Sequence, residues 1–318
     1  MTRLVGPGLI LLCTVIWGSA FVAQKLGADH FGPFAISCYR NLLAGFFLLG
    51  ALFLRRRFQR RVRSELGGPA EEPWRRSELY GGAASGIVLF VAMLTQQLGI
   101  ERTTPGVSAF LTANYVLLVP VFAWLVGKGR PGFGVWLGVF LALVGTYFLS
   151  FSSASASDLR LGPGEAWTLA CAVLFAVQIM VVDRFAPGSD LLRFSMVQMF
   201  AAGLVALPFV FLPSEVSRTS AAAFAKGLPA LIYLGVFSSG IAYTLQNLGQ
   251  ARTPPALAAI LMSTESVFGA FFGWLLLGNV LSARQIWGCG FVFAAVVLSQ
   301  VLVIFRGQRL CKGTDPDD

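Results

Sequence analysis

Glu265 is the only one of the 15 Asp and Glu residues set deep inside an apolar run, PPALAAILMSTESVFGAFFGWLLLGN, from Pro254 to Asn279. A hydrocarbon core about 30 Å thick takes roughly 20 apolar residues of helix. Glu265 therefore falls near the midplane, where a charged side chain costs at least about 2.5 kcal/mol. A carboxyl so placed either carries a proton, binds the amine of a ligand, or accepts hydrogen bonds from Ser, Thr or Tyr and fixes helix packing. On a helix, Ala258, Met262 and Gly269 share its face.

Other polar and aromatic residues in apolar runs join it as candidates. Tyr115 lies mid-run, and Asn114 beside it points about 100° away around the helix. Asn114 either lines a cavity or hydrogen-bonds a neighbouring helix. Gln24, Gln97, Gln178 and Gln246 fall toward helix ends, where each binds a polar solute or bridges helices. Trp17 either stacks on a solute or packs. Lys25 and Arg40, near the ends of the first two runs, either snorkel to the headgroups or guard a mouth.

The elements holding these residues are apolar spans. At 56% hydrophobic and 12% charged over 318 residues, the composition is that of a polytopic membrane protein. Apolar runs broken by Gly, Pro or charge predict ten helices: 7–28, 33–54, 79–100, 104–127, 132–151, 163–183, 190–212, 228–249, 254–278 and 282–305. The first is too long for a signal-peptide core and many like it follow, so it reads as a span. The tail 306–318 is polar.

The net charge of +9 does not point to nucleic acid. Arg55, Arg56, Arg57, Arg60, Arg61, Arg63, Arg75 and Arg76 share one connection, the pattern of a cytoplasmic loop, with anionic lipid as its natural contact. With the N-terminus inside, the inner side collects these eight with Arg3, Lys128, Arg130, Arg184, Arg193, Arg252, Arg306, Arg309 and Lys312, which is 17 of the 24 Lys and Arg. Both termini are expected to be cytoplasmic.

The chain repeats itself. A shift of 150 superposes Leu98-Gly99 on Leu248-Gly249, Arg102-Thr103 on Arg252-Thr253, Pro105 on Pro255 and Trp124 on Trp274. Near the N-terminus the shift is 158, pairing Cys13 with Cys171. Each half holds five helices, an odd number, so the second half is expected to be inverted relative to the first. Inverted repeats are a recurring transporter plan, with the site at midplane between the halves. Tyr115 and Glu265 are then equivalent positions.

These residues carry a family resemblance. Trp17-Gly18-Ser19-Ala20-Phe21 matches a WGSxF pattern, and Pro33 with Arg40 matches P-x(6)-R. Ser263-Thr264-Glu265 followed by Val267-Phe268 resembles S-x-E-P-V-F, and Gly288 opens the last helix. In this order they resemble the EamA-type ten-helix branch of the drug/metabolite transporter superfamily, over residues 7–305. The chain departs from that pattern at Ser266, where the family has Pro. It departs again at Val126-Gly127-Lys128 and Leu277-Gly278-Asn279, where the family has LGE.

The resemblance implies an all-helical integral membrane protein of two inverted five-helix repeats, 7–151 and 163–305, with a cytoplasmic tail 306–318. It implies export of a small metabolite such as an amino acid across a plasma membrane (bacterial inner membrane) by alternating access. The cavity would be bounded by the fourth and ninth helices and lined also by the first, third, sixth and eighth. Its expected substrate-binding residues are Trp17, Asn114, Tyr115, Gln246 and Glu265, with Glu265 also the proton-coupling group. A polytopic lipid-modifying enzyme or a scaffold are the alternatives. The sequence has no P-loop, no HExxH and no ligand-spaced cysteines, so neither an ATPase nor a metal or cofactor site is expected.

Overall fold

The computed structural model describes residues 4–66, 72–100, 102, 111–150, 162–278 and 281–312. Among them every regular element is helical. Seven stretches are long and apolar enough to cross a bilayer: Val5–Ala28, Pro33–Arg61, Ser77–Gly99, Pro163–Phe185, Leu191–Phe211, Ala221–Gln250 and Pro255–Leu276. Three shorter apolar helices accompany them, Tyr115–Leu125, Phe133–Leu149 and Ala283–Leu298. This is an all-helical integral membrane protein. The first part of the predicted fourth helix, the connection 151–161 and residues 313–318 lie outside the described residues, as does the side chain of Lys25.

In chain order, α1 is Val5–Ala28, α2 Pro33–Leu66, and α3 Gly82–Ile100, entered through a π-turn at Ser77–Gly81. They are followed by α4 (Tyr115–Leu125), α5 (Phe133–Ser150), α6 (Pro163–Phe185) and α7 (Leu191–Ala206). A short α8 (Pro213–Arg218) precedes α9 (Ala221–Ile232), which passes through a π-helical stretch, Tyr233–Ala242, into α10 (Tyr243–Gln250). The chain closes with α11 (Pro255–Met262), α12 (Glu265–Leu277) and α13 (Ala283–Lys312). Proline opens α2, α6, α8 and α11, where its missing N–H costs no helical bond. Gly278 ends α12 in the left-handed conformation, φ 69°.

Two expectations about boundaries are corrected. The second helix does not stop at residue 54; α2 runs on through the arginine cluster to Leu66. Arginine is a good helix former, and no breaker intervenes before Gly67-Gly68-Pro69. The ninth helix is not continuous but tightens into a turn at Ser263-Thr264, separating α11 from α12.

α5 lies along α13 and α2 along α7, while α3 packs on both α6 and α7. α1 packs against α12 and against the Tyr233–Gln250 segment, and α4 against α6. Small residues allow the closest approaches. A Cβ at Gly86 would collide with the backbone carbonyl of Gln198 on α7, and one at Gly18 with the backbone of Phe268 and Gly269 on α12. The glycine of the WGSxF segment thus lets α1 touch α12 just past Glu265. The largest apolar cluster packs Ile10, Tyr115, Val119, Ala176, Leu261 and Met262 together.

Ion pairs gather at the end of the bundle that carries the arginine cluster. Arg55 grips Asp190, its Nη1 donating to Oδ1 at 3.1 Å. Arg193 Nη1 lies 3.6 Å from Glu78 Oε2, and Lys128 pairs with Asp183. Glu78 and Arg193 are almost fully buried. At the opposite end, Glu215 of α8 turns inward and accepts from the Ala35 N–H at 2.9 Å, tying the amphipathic α8 segment to the start of α2.

Candidate functional site

Between the helices lies a cavity of about 70 Å³, room for roughly five waters at about 10–15 Å³ each. It is lined by Trp17, Ala20 and Gln24 of α1, Met93 and Gln96 of α3, Tyr115 of α4, and Phe175, Gln178 and Ile179 of α6. Ser238, Tyr243 and Gln246 come from the α9–α10 segment, Met262 and Glu265 from α11 and α12, and Arg40 from α2. The six helices expected to line it do so, and α2 joins them. The lining extends from Glu265 and Tyr115 toward Gln24 and Gln96, each four residues before its helix ends. The cavity thus runs away from the ion-paired end.

The turn at Ser263-Thr264 makes Glu265 the first residue of α12. Backbone bonds there shorten to three residues, Thr264 N–H to Leu261 O at 3.2 Å and Val267 N–H to Thr264 O at 3.0 Å. Hydroxyls reinforce the turn: Ser263 Oγ donates to Ile260 O at 2.6 Å, Thr264 Oγ1 to Leu261 O at 2.8 Å and Ser266 Oγ to Ser263 O at 2.7 Å. Serine and threonine favour such back-bonds over a regular helix. The local dipole at a helix start favours a carboxylate. Among the described residues the Glu265 carboxyl makes no hydrogen bond or ion pair, and the residue is half-buried facing the cavity.

Trp17 is fixed rather than free to swing. Its indole N–H donates to the Ser238 carbonyl at 3.1 Å, and its ring lies 4.8 Å from that of Tyr243. Ser238 sits in the π-helical stretch, where the wider winding departs from regular helical bonding. Tyr115 meets Phe175 edge to face at 6.5 Å.

Gln246 is 2% exposed. Its Nε2 lies 3.4 Å from Gln178 Oε1, and its own Oε1 has no partner in a hydrogen bond. Behind it, Gln178 and Gln198 both donate to Ser85 Oγ, and Asn247 donates to Gln198 Oε1 at 2.7 Å. This polar chain links α3, α6, α7 and α10 and holds the back wall of the cavity.

Four of the five residues expected at the site, Trp17, Tyr115, Gln246 and Glu265, therefore meet on one cavity. Asn114 does not line it; its amide donates to Leu111 O at 3.0 Å, within its own turn. Arg40 does not snorkel outward. It is 5% exposed, lines the cavity, and donates from Nε to Ser239 Oγ and from Nη2 to Ser238 Oγ, both at 2.9 Å. Tyr243 and Gln96 were not singled out by the sequence; the only signal for them was a polar group on the face of an apolar helix. Among the described residues no group of three His, Cys, Asp or Glu is arranged to hold a metal.

The model of the family described as EamA-like transporter matches residues 4–151 and 162–300. An uncharacterized transporter of Archaeoglobus fulgidus is 28% identical, over 92% of this chain and 85% of its own. The uncharacterized inner membrane transporter YedA of Escherichia coli is 26% identical, over 92% and 89%. A solved structure 19% identical in sequence superposes with a TM-score of 0.73, covering 95% of this chain and 96% of its own.

Proposed function

The chain belongs to the EamA-like transporter family, and as a multi-pass membrane transporter we propose that it exports a small organic metabolite, such as an amino acid, by alternating access. Trp17, Tyr115, Gln246 and Glu265 contact the solute and Glu265 carries the coupling proton. The arginine-rich end faces the cytoplasm with both termini, so the cavity in this conformation extends outward while ion pairs hold the inner end shut.

The observation that carries this reading is a reciprocity of contacts between the two parts of the chain that we read as five-helix halves, 7–151 and 163–305. Gly6 abuts the carbonyl of Gly249, and Gly164, which is Gly6 shifted by 158, abuts Gly99, which is Gly249 shifted back by 150. Gly45 meets Phe200, and Gly203 meets Leu42; the shift of 158 exchanges the two contacts. Arg102 Nη1 donates to Leu98 O at 3.0 Å and its mate Arg252 Nη1 to Leu248 O at 2.8 Å. An inverted repeat predicts such pairs, and the cavity lies where the halves meet. Two similar halves packed about one site offer two related arrangements, open to one side or the other.

The test is flux in proteoliposomes, with and without a pH gradient, across a panel of small metabolites. A gradient-stimulated flux of one class is expected. No flux of any solute would overturn the reading.

A further inference from the structure

Two helices bring the same register positions to the cavity through different windings. Under the shift of 150, Met93 and Gln96 of α3 correspond to Tyr243 and Gln246 of α10, and all four line the cavity. Residues 83–92, just before the first pair, are regular α-helix, whereas their counterparts Tyr233–Ala242 are π-helical. A π run of ten residues is longer than the single-turn bulge usual for this winding. Contacts from outside the helix must hold it.

Those contacts come from α1 and α2. Arg40 grips Ser238 and Ser239 through two hydroxyls, each at 2.9 Å. Trp17 donates its indole N–H to the Ser238 carbonyl at 3.1 Å, and Ser19 shares a hydrogen bond with the Tyr233 hydroxyl. In α3 the counterparts of Ser238 and Ser239 are Val88 and Leu89, whose side chains offer nothing to grip. That helix is held instead at Ser85, whose Oγ accepts from Gln198 at 2.9 Å. Gln198 is Arg40 shifted by 158. The same position on α2 and α7 thus secures each helix, but only the arginine secures a wide winding. Ser238, Ser239 and Gly240 are weak α formers, so local propensity does little to oppose that winding.

We propose that Arg40 is a positioning residue: it holds Tyr233–Ala242 in the π winding, and the stretch rewinds to α when the grip is released. This rests on the alternating-access reading and adds the part of the cavity wall that changes. The π form belongs to the cavity as it stands here. Rewinding turns Tyr243 and Gln246 about the helix axis and takes the Ser238 carbonyl away from Trp17. It regains the regular i−4 backbone bonds in exchange for the serine bonds. The released guanidinium stays on the cavity lining, where water reaches it.

Spin-label distances in the purified full-length protein in nanodiscs test this without any solute. The five cysteines are first replaced by alanine, and labels are placed at the exposed positions Lys226 and Arg252, on either side of the π stretch. A second pair at their exposed counterparts, Arg76 and Arg102, spans α3 as the control. A wider helix rises less per residue, so release of the π winding should lengthen the 226–252 distance by about 3 Å and leave 76–102 unchanged. Arg40→Gln is expected to give this shift. Ser238→Ala with Ser239→Ala removes the same bonds from the other side and should give it too. Trp17→Phe, which deletes one hydrogen bond and keeps an aromatic ring, should add a longer population beside the original. An unchanged 226–252 distance in the variants that fold overturns the proposal, as does an equal shift of both pairs. The shift without flux of any solute by the wild type would leave the switch standing and overturn the transporter reading. Flux with unchanged distances would do the opposite.

Discussion

Asn114 and Thr264 stand 150 residues apart and make the same local bond, each side chain donating to the carbonyl three residues back, Leu111 O at 3.0 Å and Leu261 O at 2.8 Å. Their backbones match as well. Asn114 N–H and Thr264 N–H both reach that same carbonyl at 3.2 Å, and the N–H three residues on returns to each at 3.0 Å. The turns deliver Tyr115 and Glu265 as the first residues of α4 and α12. Thr264 also shares a hydrogen bond of 2.8 Å with Thr14 of α1. Thr264→Val keeps the shape and removes both bonds, and should lower unfolding stability by only about 0.5–1.5 kcal/mol, since Thr14 keeps its own bond to Leu11 O at 2.8 Å. Thermal unfolding in nanodiscs reads this; an unchanged midpoint would mean the turn is held by backbone alone.

Glu265→Gln retains the size of the side chain and removes its titration. Flux driven by a solute gradient should survive while stimulation by a pH gradient disappears. Undiminished stimulation in proteoliposomes would exclude Glu265 as the coupling group.

Glycine spacing gives a controlled comparison. Gly86→Ala forces a methyl into the Gln198 carbonyl of α7, whereas Gly8→Ala meets nothing within 4 Å. The first should destabilise by about 1–3 kcal/mol through overpacking. The second should be neutral or stabilising by up to about 1 kcal/mol, because alanine is the better helix former. Equal effects would show that α3 and α7 separate easily.

Asp190 sets a pH dependence at the arginine-rich end. Burial opposes its charge, but the hydrogen bond and charge of Arg55, with the backbone N–H and charge of Arg193, hold its carboxyl below the usual range. A depressed carboxylate contributes stability that is present above its unfolded value, about pH 3.9. That stability is lost as pH falls through the lower folded value. Arg55→Gln should lower stability at pH 7 and flatten the dependence below about pH 4. Unfolding midpoints measured from pH 2 to 7 check it, and a parallel profile would refute the pairing.

Lys128 and Asp183 join the α4–α5 connection to the end of α6. Lys128→Glu sets like charges together and should cost about 1–3 kcal/mol, because Asp183 is buried and left unmatched. Adding Asp183→Lys should recover most of that loss, measured as the unfolding midpoint. No recovery in the double variant would show that the pair has no energetic role.

Apolar length and charge are local properties, so the sequence located Glu265 and the seven helices long and apolar enough to cross a bilayer without help from packing. A solitary carboxylate in a long apolar run announces itself because its cost is set by the bilayer. Trp17, Tyr115 and Gln246 were legible as candidates for a similar reason, each being a polar or aromatic group on an apolar helix.

What the sequence left open was direction around the helix and what stands opposite. Hydropathy ended the second span at residue 54, where the arginines begin, yet α2 continues to Leu66 because arginine is a good helix former. Arg40, near a helix end, looked free to reach the headgroups; only the packing of α2 on the π-helical stretch turned it onto Ser238 and Ser239 and into the cavity. Asn114, beside Tyr115 in sequence, was turned by its own helix back to Leu111. Depth is written in the chain, because it follows from counting residues along an axis. Whether a charge at that depth meets lipid, protein or an empty cavity depends on which helix lies against it, and only the tertiary structure decides that.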